Sequence, residues 1–332
     1  MQTSKLFTLL PEEWVATPDG MTIDKNGDLI LSCPNFANMD LPSCVLRITP
    51  DKKITKWFDL PVNPATGEGR CMGLEFGPDG DLYIVDNAGW TGREDLIRTG
   101  RILRVHFNEA GEYESFRVVA DGMEHPNGLR IRGDYIYVTQ STLELVKTPS
   151  GKLMSCVYCF RLDDENIHVT NTLEDENILC TFITENPLCQ YGVDGIVFDR
   201  EGRLIIGNFG DGSVWRLYLN KKGDRMIDKE LWCCDPANLK TTDGMTIDQH
   251  GNIYVADFSA NAIGKISPDG KIARIAQSPD CTGWEGGLDE PGEPCVWNGK
   301  IVISCFDCVV DDQKVNTAHE IPATMAELEI EP

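Results

Sequence analysis

Positive charge is what this sequence has least of. Across 332 residues, 30 Lys and Arg face 53 Asp and Glu, a formal net charge of -23, and no basic cluster interrupts the excess of acid. A nucleic-acid surface needs such a cluster to neutralise phosphates, so that class of partner is excluded. Anionic membranes and anionic substrates are repelled as well, unless a bound cation offsets the charge locally. Long apolar runs are also missing: no stretch approaches about 18 residues, so no spanning helix is expected. Residues 1–14 lack the basic region, apolar core and cleavage site of an export signal. With 13 cysteines and no such signal, the expectation is a cytoplasmic protein with reduced thiols, not a disulfide scaffold. There is no amphipathic pattern long enough for helices to cover a parallel sheet, which argues against βαβ folds. A Gly-x-Ser-x-Gly elbow is absent, and so are the glycine motifs of dinucleotide and nucleoside-triphosphate sites.

What is present is glycine (31 residues), proline (18) and a repeat. Loops of one form recur as Pro18-Asp19-Gly20-Met21, Cys71-Met72-Gly73-Leu74, Pro126-Asn127-Gly128-Leu129, Val193-Asp194-Gly195-Ile196 and Thr242-Asp243-Gly244-Met245. A sixth, weaker copy brings Glu293 into register. Each loop leads into a short alternating strand, a tight turn such as Asn26-Gly27 or Asp79-Gly80, and a second β-rich strand. Third and fourth strand-like segments follow, as in Cys44 to Asp51, which ends in its own turn, and Lys53 to Phe58. Asp19, Met72, Asn127, Asp194, Asp243 and Glu293 lie 53, 55, 67, 49 and 50 positions apart. Four antiparallel strands at that period predict an all-β fold, a six-bladed β-propeller of four-stranded blades, in one domain over 1–332. The long interval between Asn127 and Asp194 implies an inserted loop near 143–154. Lys5 to Leu9 is expected to supply an outer strand closing the ring, and 317–332 to be a tail or short helix. Two Cys-x-x-Cys spacings, Cys156/Cys159 and Cys305/Cys308, fall in strand-like runs where residues three apart face opposite sides, so they read as buried small hydrophobes.

In a propeller the loops entering the inner strands converge on one mouth of the central channel. Asp19, Asn127, Asp194, Asp243 and Glu293 then meet although they are distant in sequence, and carboxylates so placed repel one another unless a cation neutralises them. Carboxylate and amide oxygens suit Ca2+ first, with Mg2+, Mn2+ or Zn2+ as alternatives, although zinc normally recruits His or Cys. Asp24, Asp79, Asp199 and Asp248 read instead as ordinary turn residues. Met72 interrupts the ring and is expected as a hydrophobic wall.

In its order of loops, in His125-Pro126-Asn127-Gly128-Leu129 and in Val193-Asp194-Gly195-Ile196, the chain resembles the six-bladed propellers of the gluconolactonase, regucalcin (senescence marker protein) and diisopropylfluorophosphatase type. The resemblance implies one divalent cation, usually calcium, held by Asp19 (where the family commonly has Glu), Asn127 and Asp194. A polar pair of the family's second blade falls at Cys71 and Met72 and is lost, with Asp243 and Glu293 available to compensate and Asn208 as a supporting group behind the ring. The implied activity is hydrolysis of a sugar lactone or related ester. Alternatives are a phosphotriesterase, lyase or isomerase on the same scaffold, or a non-catalytic binding propeller. Asp194 and Asp243 are the candidates to orient or deprotonate water, Asp243 being the freer if Asp194 is a ligand; attack by Asp194 itself is the competing route. His125, Met72, Cys71, Glu293, Arg93, Trp90, Tyr191 and Trp284 are the expected substrate contacts. The implied partner is a small molecule, with the chain a monomer or homodimer.

Overall fold

The turns of the repeat carry the strands that flank them. In the first copy Gly27 sits at φ 85°, and the Asp24 carboxylate accepts the backbone N–H groups of Asn26 at 2.8 Å and Asp28 at 3.0 Å. Gly80, Gly202 and Gly251 repeat the positive φ, and Asp79, Asp199 and Asp248 likewise accept N–H groups from their own turns. These four aspartates are turn residues, as expected.

The computed structural model describes residues 1–309 and 314–330. They form six mainly antiparallel sheets, the blades of a β-propeller. Blade 1 runs Met21–Ile23, Leu29–Cys33, Cys44–Ile48 and Ile54–Asp59 from channel to rim. The inner strands of blades 2 to 6 are Cys71–Phe76, Pro126–Arg132, Val193–Phe198, Met245–Ile247 and Pro291–Trp297. Blade 6 continues through Lys300–Cys305 and Thr324–Glu329 and is completed by Lys5–Leu9. The N-terminal strand therefore closes the ring, as expected.

Two details differ from expectation. Residues 141–153 are the loop anticipated between Asn127 and Asp194, but a second added segment lies between Met154–Arg161 and Ile178–Ile183. Its short strand Ile167–His168 leaves blade 3 and pairs in parallel with Tyr113–Met123, giving blade 2 a fifth strand. The segment expected as a tail or short helix instead supplies Thr324–Glu329, buried from Thr324 to Leu328 between two strands. Its glutamates suggest a helix, yet Glu327 is held by Lys52 and Lys300, which satisfies its charge within the sheet. Residues 331 and 332 lie outside the described residues. No described helix is long and apolar enough to cross a membrane, and every cysteine is a free thiol.

The apolar core lies between blades. Ile30, Val45 and Phe58 of blade 1 pack on Leu82, Ile84 and Leu103 of blade 2, and Tyr137 and Val157 of blade 3 on Leu204 and Ile206 of blade 4. At the channel, side chains give way to backbone. A Cβ on Gly20 would stand 2.6 Å from the Met72 carbonyl, on Gly73 2.6 Å from that of Asn127, on Gly128 2.7 Å from that of Asp194, and on Gly195 2.1 Å from that of Asp243. Glycine is required because each inner strand abuts the ring residue of the next blade. Hydroxyls reinforce the contact: Ser32, Thr139 and Ser304 donate to the carbonyls of Met72, Asp194 and Asp19 at 2.7, 2.7 and 2.6 Å. Replacing Gly195 by Ala should destabilise the protein by at least about 2 kcal/mol through overpacking. Denaturant unfolding measures this, and a loss below about 0.5 kcal/mol contradicts such close packing.

Candidate active site

Each ring residue occupies a break in strand pairing. The ladder between the two innermost strands skips from Cys71 to Leu74, Pro126 to Leu129, Val193 to Ile196 and Pro291 to Pro294. In blades 1 and 5 the inner strand starts only at Met21 and Met245, after the ring residue. Such irregularities release a side chain from the alternation of a flat strand, and here four of the released side chains meet. Asp19, Asn127, Asp194 and Asp243 form a septum, lining both a mouth cavity of about 400 Å³ and a narrow space further down the channel.

Hydrogen bonds order the septum. The Asn127 amide donates to Asp194 Oδ2 at 2.9 Å and lies 3.4 Å from the Tyr191 hydroxyl. That hydroxyl is 2.5 Å from His125 Nε2. Asp243 accepts the Gly244 N–H at 2.9 Å and is more open to the mouth than Asp19 or Asp194. Glu293 does not line the mouth. It faces the channel side, where Arg130 binds it at 2.8 Å.

The other expected contacts divide. Met72, Trp90, His125 and Tyr191 line the mouth cavity. Cys71 does not: its thiol is buried against Ser43 and the Cys44 carbonyl, between blades. Arg93 stands outside the cavity, claimed by Asp95 at 2.7 Å and Glu68 at 3.2 Å. Trp284 is 43% exposed and donates to the Pro322 carbonyl, also away from the mouth. Asn208 touches no ring residue. It pairs with Thr184 at 3.0 Å, whose hydroxyl also reaches the Tyr191 carbonyl, so it braces the segment carrying Tyr191.

An aromatic belt escaped the sequence reading. Trp90 stacks on Phe36 with ring centroids 4.4 Å apart, and contacts continue through Phe306, Phe258, Phe209 and Tyr191 to His125, at spacings between 5.0 and 6.1 Å. A signal for it existed. Phe209, Phe258 and Phe306 each directly follow the second strand of their blades, in one register. Lys314 also lines the cavity, its ammonium 4.3 Å from the Phe258 ring.

Electrostatics at the septum is one-sided. Burial, then the charge of Glu293, pushes the Asp19 carboxyl up to about 8. Asp194 is raised well above the carboxylate range by burial and by Asp19 and Glu293, and Asp243 by burial and by Asp194, Asp19 and Glu293. Glu293 rises to about 7 because burial outweighs the pull of Arg130. Burial holds the His125 imidazole down to about 4, so it is neutral, and burial and Asp194 keep the Tyr191 phenol protonated. Three carboxyls that resist ionisation thus lie beside one amide on an acidic, oxygen-rich floor, although their oxygens do not all fall within 4.8 Å of one another.

Fold and septum together define a six-bladed propeller with an acidic floor beneath an aromatic mouth. The chain resembles gluconolactonase, regucalcin and SMP-30-like propellers. The profile of the family described as SMP-30/Gluconolactonase/LRE-like region matches residues 212–284, a stretch holding Asp243 but not Asp19, Asn127 or Asp194. A luciferin-regenerating enzyme superposes with TM-score 0.61 at 12% identity, over 98% of this chain and 94% of that one. A gluconolactonase from Xanthomonas campestris gives 0.59 at 12%, over 99% and 96%. A calcium-binding regucalcin from Agrobacterium tumefaciens gives 0.58 at 13%, over 99% and 95%. At such identities the likeness is one of fold. No curated protein matches the chain.

The raised carboxyls fix a pH dependence. A group whose pKa is higher folded than unfolded stabilises the fold below its unfolded value, and that stability is lost as pH rises through the folded value. In chelator-treated protein the melting temperature should therefore fall between about pH 5 and pH 9, as Asp19 and Glu293 ionise through about 8 and about 7. Asp19→Asn should flatten that fall in a calorimetric pH series; an unchanged slope counts against the repulsion described.

Proposed function

We propose that the protein is a metal-dependent hydrolase acting on a lactone or related ester, with the reacting carbonyl at the septum. The observation that carries this reading is the buried oxygen set of Asp19, Asn127 and Asp194 on the floor of a cavity large enough for a small ring. Those three residues would hold a calcium ion, which when bound supplies a Lewis acid for the carbonyl. Asp243, the most open of the septum acids, would take a proton from water once a bound cation lets it ionise; burial, then the neighbouring acids, raise its pKa and make its carboxylate the stronger base. Asn127 holds Asp194 through its amide, and Tyr191 ties Asn127 to the neutral His125. The belt from Trp90 to Tyr191 presents apolar faces that limit water around the reacting group.

That wall also bears on the substrate. Polar groups are concentrated on the floor, while the sides are aromatic, so a hydroxyl directed at the wall forfeits its hydrogen bonds with water at about 1–3 kcal/mol each. Sugar-derived lactones are best accommodated when a CH-rich face meets the belt and the oxygens turn toward the floor or the opening. Thirteen free thiols support a reducing compartment such as the cytosol, in a monomer or homodimer.

With calcium supplied, a panel of aldonolactones, alkyl lactones and aryl lactones should include a substrate hydrolysed in a chelator-sensitive reaction. Asp194→Ala should lower kcat/KM at least about 100-fold by removing both a ligand and the partner of Asn127. Asp243→Asn should lower kcat by about 100-fold or more while calcium binding persists. Absence of metal-dependent turnover across lactones and esters would sink the reading.

A further inference from the structure

The septum is not the molecule's sole concentration of buried acid. Asp289, in the turn before the inner strand of blade 6, faces Asp307, which follows the second strand, and Glu320, which precedes Thr324–Glu329. One carboxylate oxygen from each lies within 4.8 Å of those from the other two. Among the described residues this is the one group of three or more His, Cys, Asp or Glu with that spacing.

Proximity of acids alone signifies little, but the state of Asp289 does. It is 1% exposed, and neither of its oxygens has a hydrogen-bond partner. A buried carboxylate in that condition forfeits its hydration with no compensation. Its neighbours are engaged but not saturated. Asp307 accepts the Asn316 amide at 3.1 Å and the Glu320 N–H at 2.9 Å, and lies 3.2 Å from His319 Nδ1. One Glu320 oxygen is buried without a partner. A further acid, Asp280, is tied to Thr317. The Lys314 ammonium stands 3.9 Å from Glu290 and over the Phe258 ring. Burial and the charges of Asp307, Glu320, Glu290 and Asp280 push the Asp289 carboxyl up to about 9.

We infer that Asp289, Asp307 and Glu320 form a structural calcium site, separate from the septum, that joins the two ends of the blade 6 connection. Two oxygens bound to one calcium at about 2.4 Å stand at most about 4.8 Å apart, and the three carboxylate oxygens lie within that limit of one another. The donors are all oxygen and come from three loop segments, an arrangement calcium accepts more readily than magnesium. The ion would link the turn at Asp289 to the segment carrying Glu320 and hold Asp307 between them. Phe306, next to Asp307, lines the mouth, so this site braces one wall of the cavity without touching its floor.

The test uses the full chain, freed of metal by chelation and then given calcium alone, followed by thermal unfolding and equilibrium dialysis. Wild type should gain at least about 3 °C in Tm at a hundredfold excess over the dissociation constant. Asp194→Asn, which disables the septum only, should keep a rise from this site and bind one calcium fewer than wild type if the septum also loads. Asp289→Asn should abolish that rise and melt higher than wild type without metal, because an amide relieves the repulsion. Glu320→Gln, at a less buried position, should weaken calcium binding about tenfold and decides the matter if Asp289→Asn does not fold. A calcium-dependent rise that survives in Asp289→Asn or Glu320→Gln but vanishes in Asp194→Asn overturns the proposal, and so does the absence of any rise in wild type. Failure of the septum to load calcium leaves this result readable, since its ligands are different residues.

Discussion

Everything at the mouth depends on how closely six inner strands approach around the channel. The backbone carbonyl of a ring residue sits against the α-carbon of a glycine in the preceding blade, at a distance no side chain permits. This close approach explains why glycine follows the ring residue in the first five blades, where the ring residue itself varies from Asp to Asn to Met; in blade 6 Gly292 takes the ring position and Glu293 the place of the glycine. The glycine serves the fold, and the residue before it is left free for chemistry. The hydroxyls of Ser32, Thr139 and Ser304 bind the same carbonyls from behind, so the ring is held by its backbone and not by the side chains it presents.

The same closeness sets the electrostatics. Side chains released toward a shared axis are buried together, and identical charges brought together out of water raise one another's pKa. Elsewhere the chain resolves buried acids with arginine, as in Asp86 with Arg101 at 2.5 Å or Glu293 with Arg130 at 2.8 Å. Among the described residues no arginine is paired with the septum aspartates or with Asp289, whose neighbour Asp307 has only the His319 imidazole at 3.2 Å. Two unbalanced acidic sites in one chain, both of oxygen donors, point to cations as the missing half, and a net charge of -23 draws cations toward both. Above the septum the surroundings are mainly aromatic, with Thr91, His125 and Lys314 as polar residues among them.

How far the sequence could be read depended on whether a property is carried by the repeat. The blades, the turn aspartates and the closing N-terminal strand were legible, because hairpin chemistry and alternation are local. Placement of Asp19, Asn127, Asp194 and Asp243 followed from their register. Arg93, Trp284 and Cys71 were expected at the mouth from loop position alone, and each is drawn elsewhere by a neighbour that only the folded chain brings near: Glu68, the Pro322 carbonyl and Ser43. Glu293 was expected in register, but the blade 6 ladder puts Gly292 at the ring position and leaves Glu293 on the channel side, where Arg130 of blade 3 binds it. The phenylalanines of the belt repeat in register and were readable in principle, but apolar residues after a β-rich strand resemble ordinary core.

By itself, then, the sequence determined the number of blades, the positions of the glycines and the order of the ring, because period, turn type and backbone freedom are properties of short segments. Only the tertiary structure decided which ring members share a cavity, which acids are neutralised, and where an unpartnered carboxylate such as Asp289 is stranded. Those outcomes depend on burial and on distances between residues far apart in the chain, and Coulomb energy and desolvation are set by such distances, not by the order of residues along it.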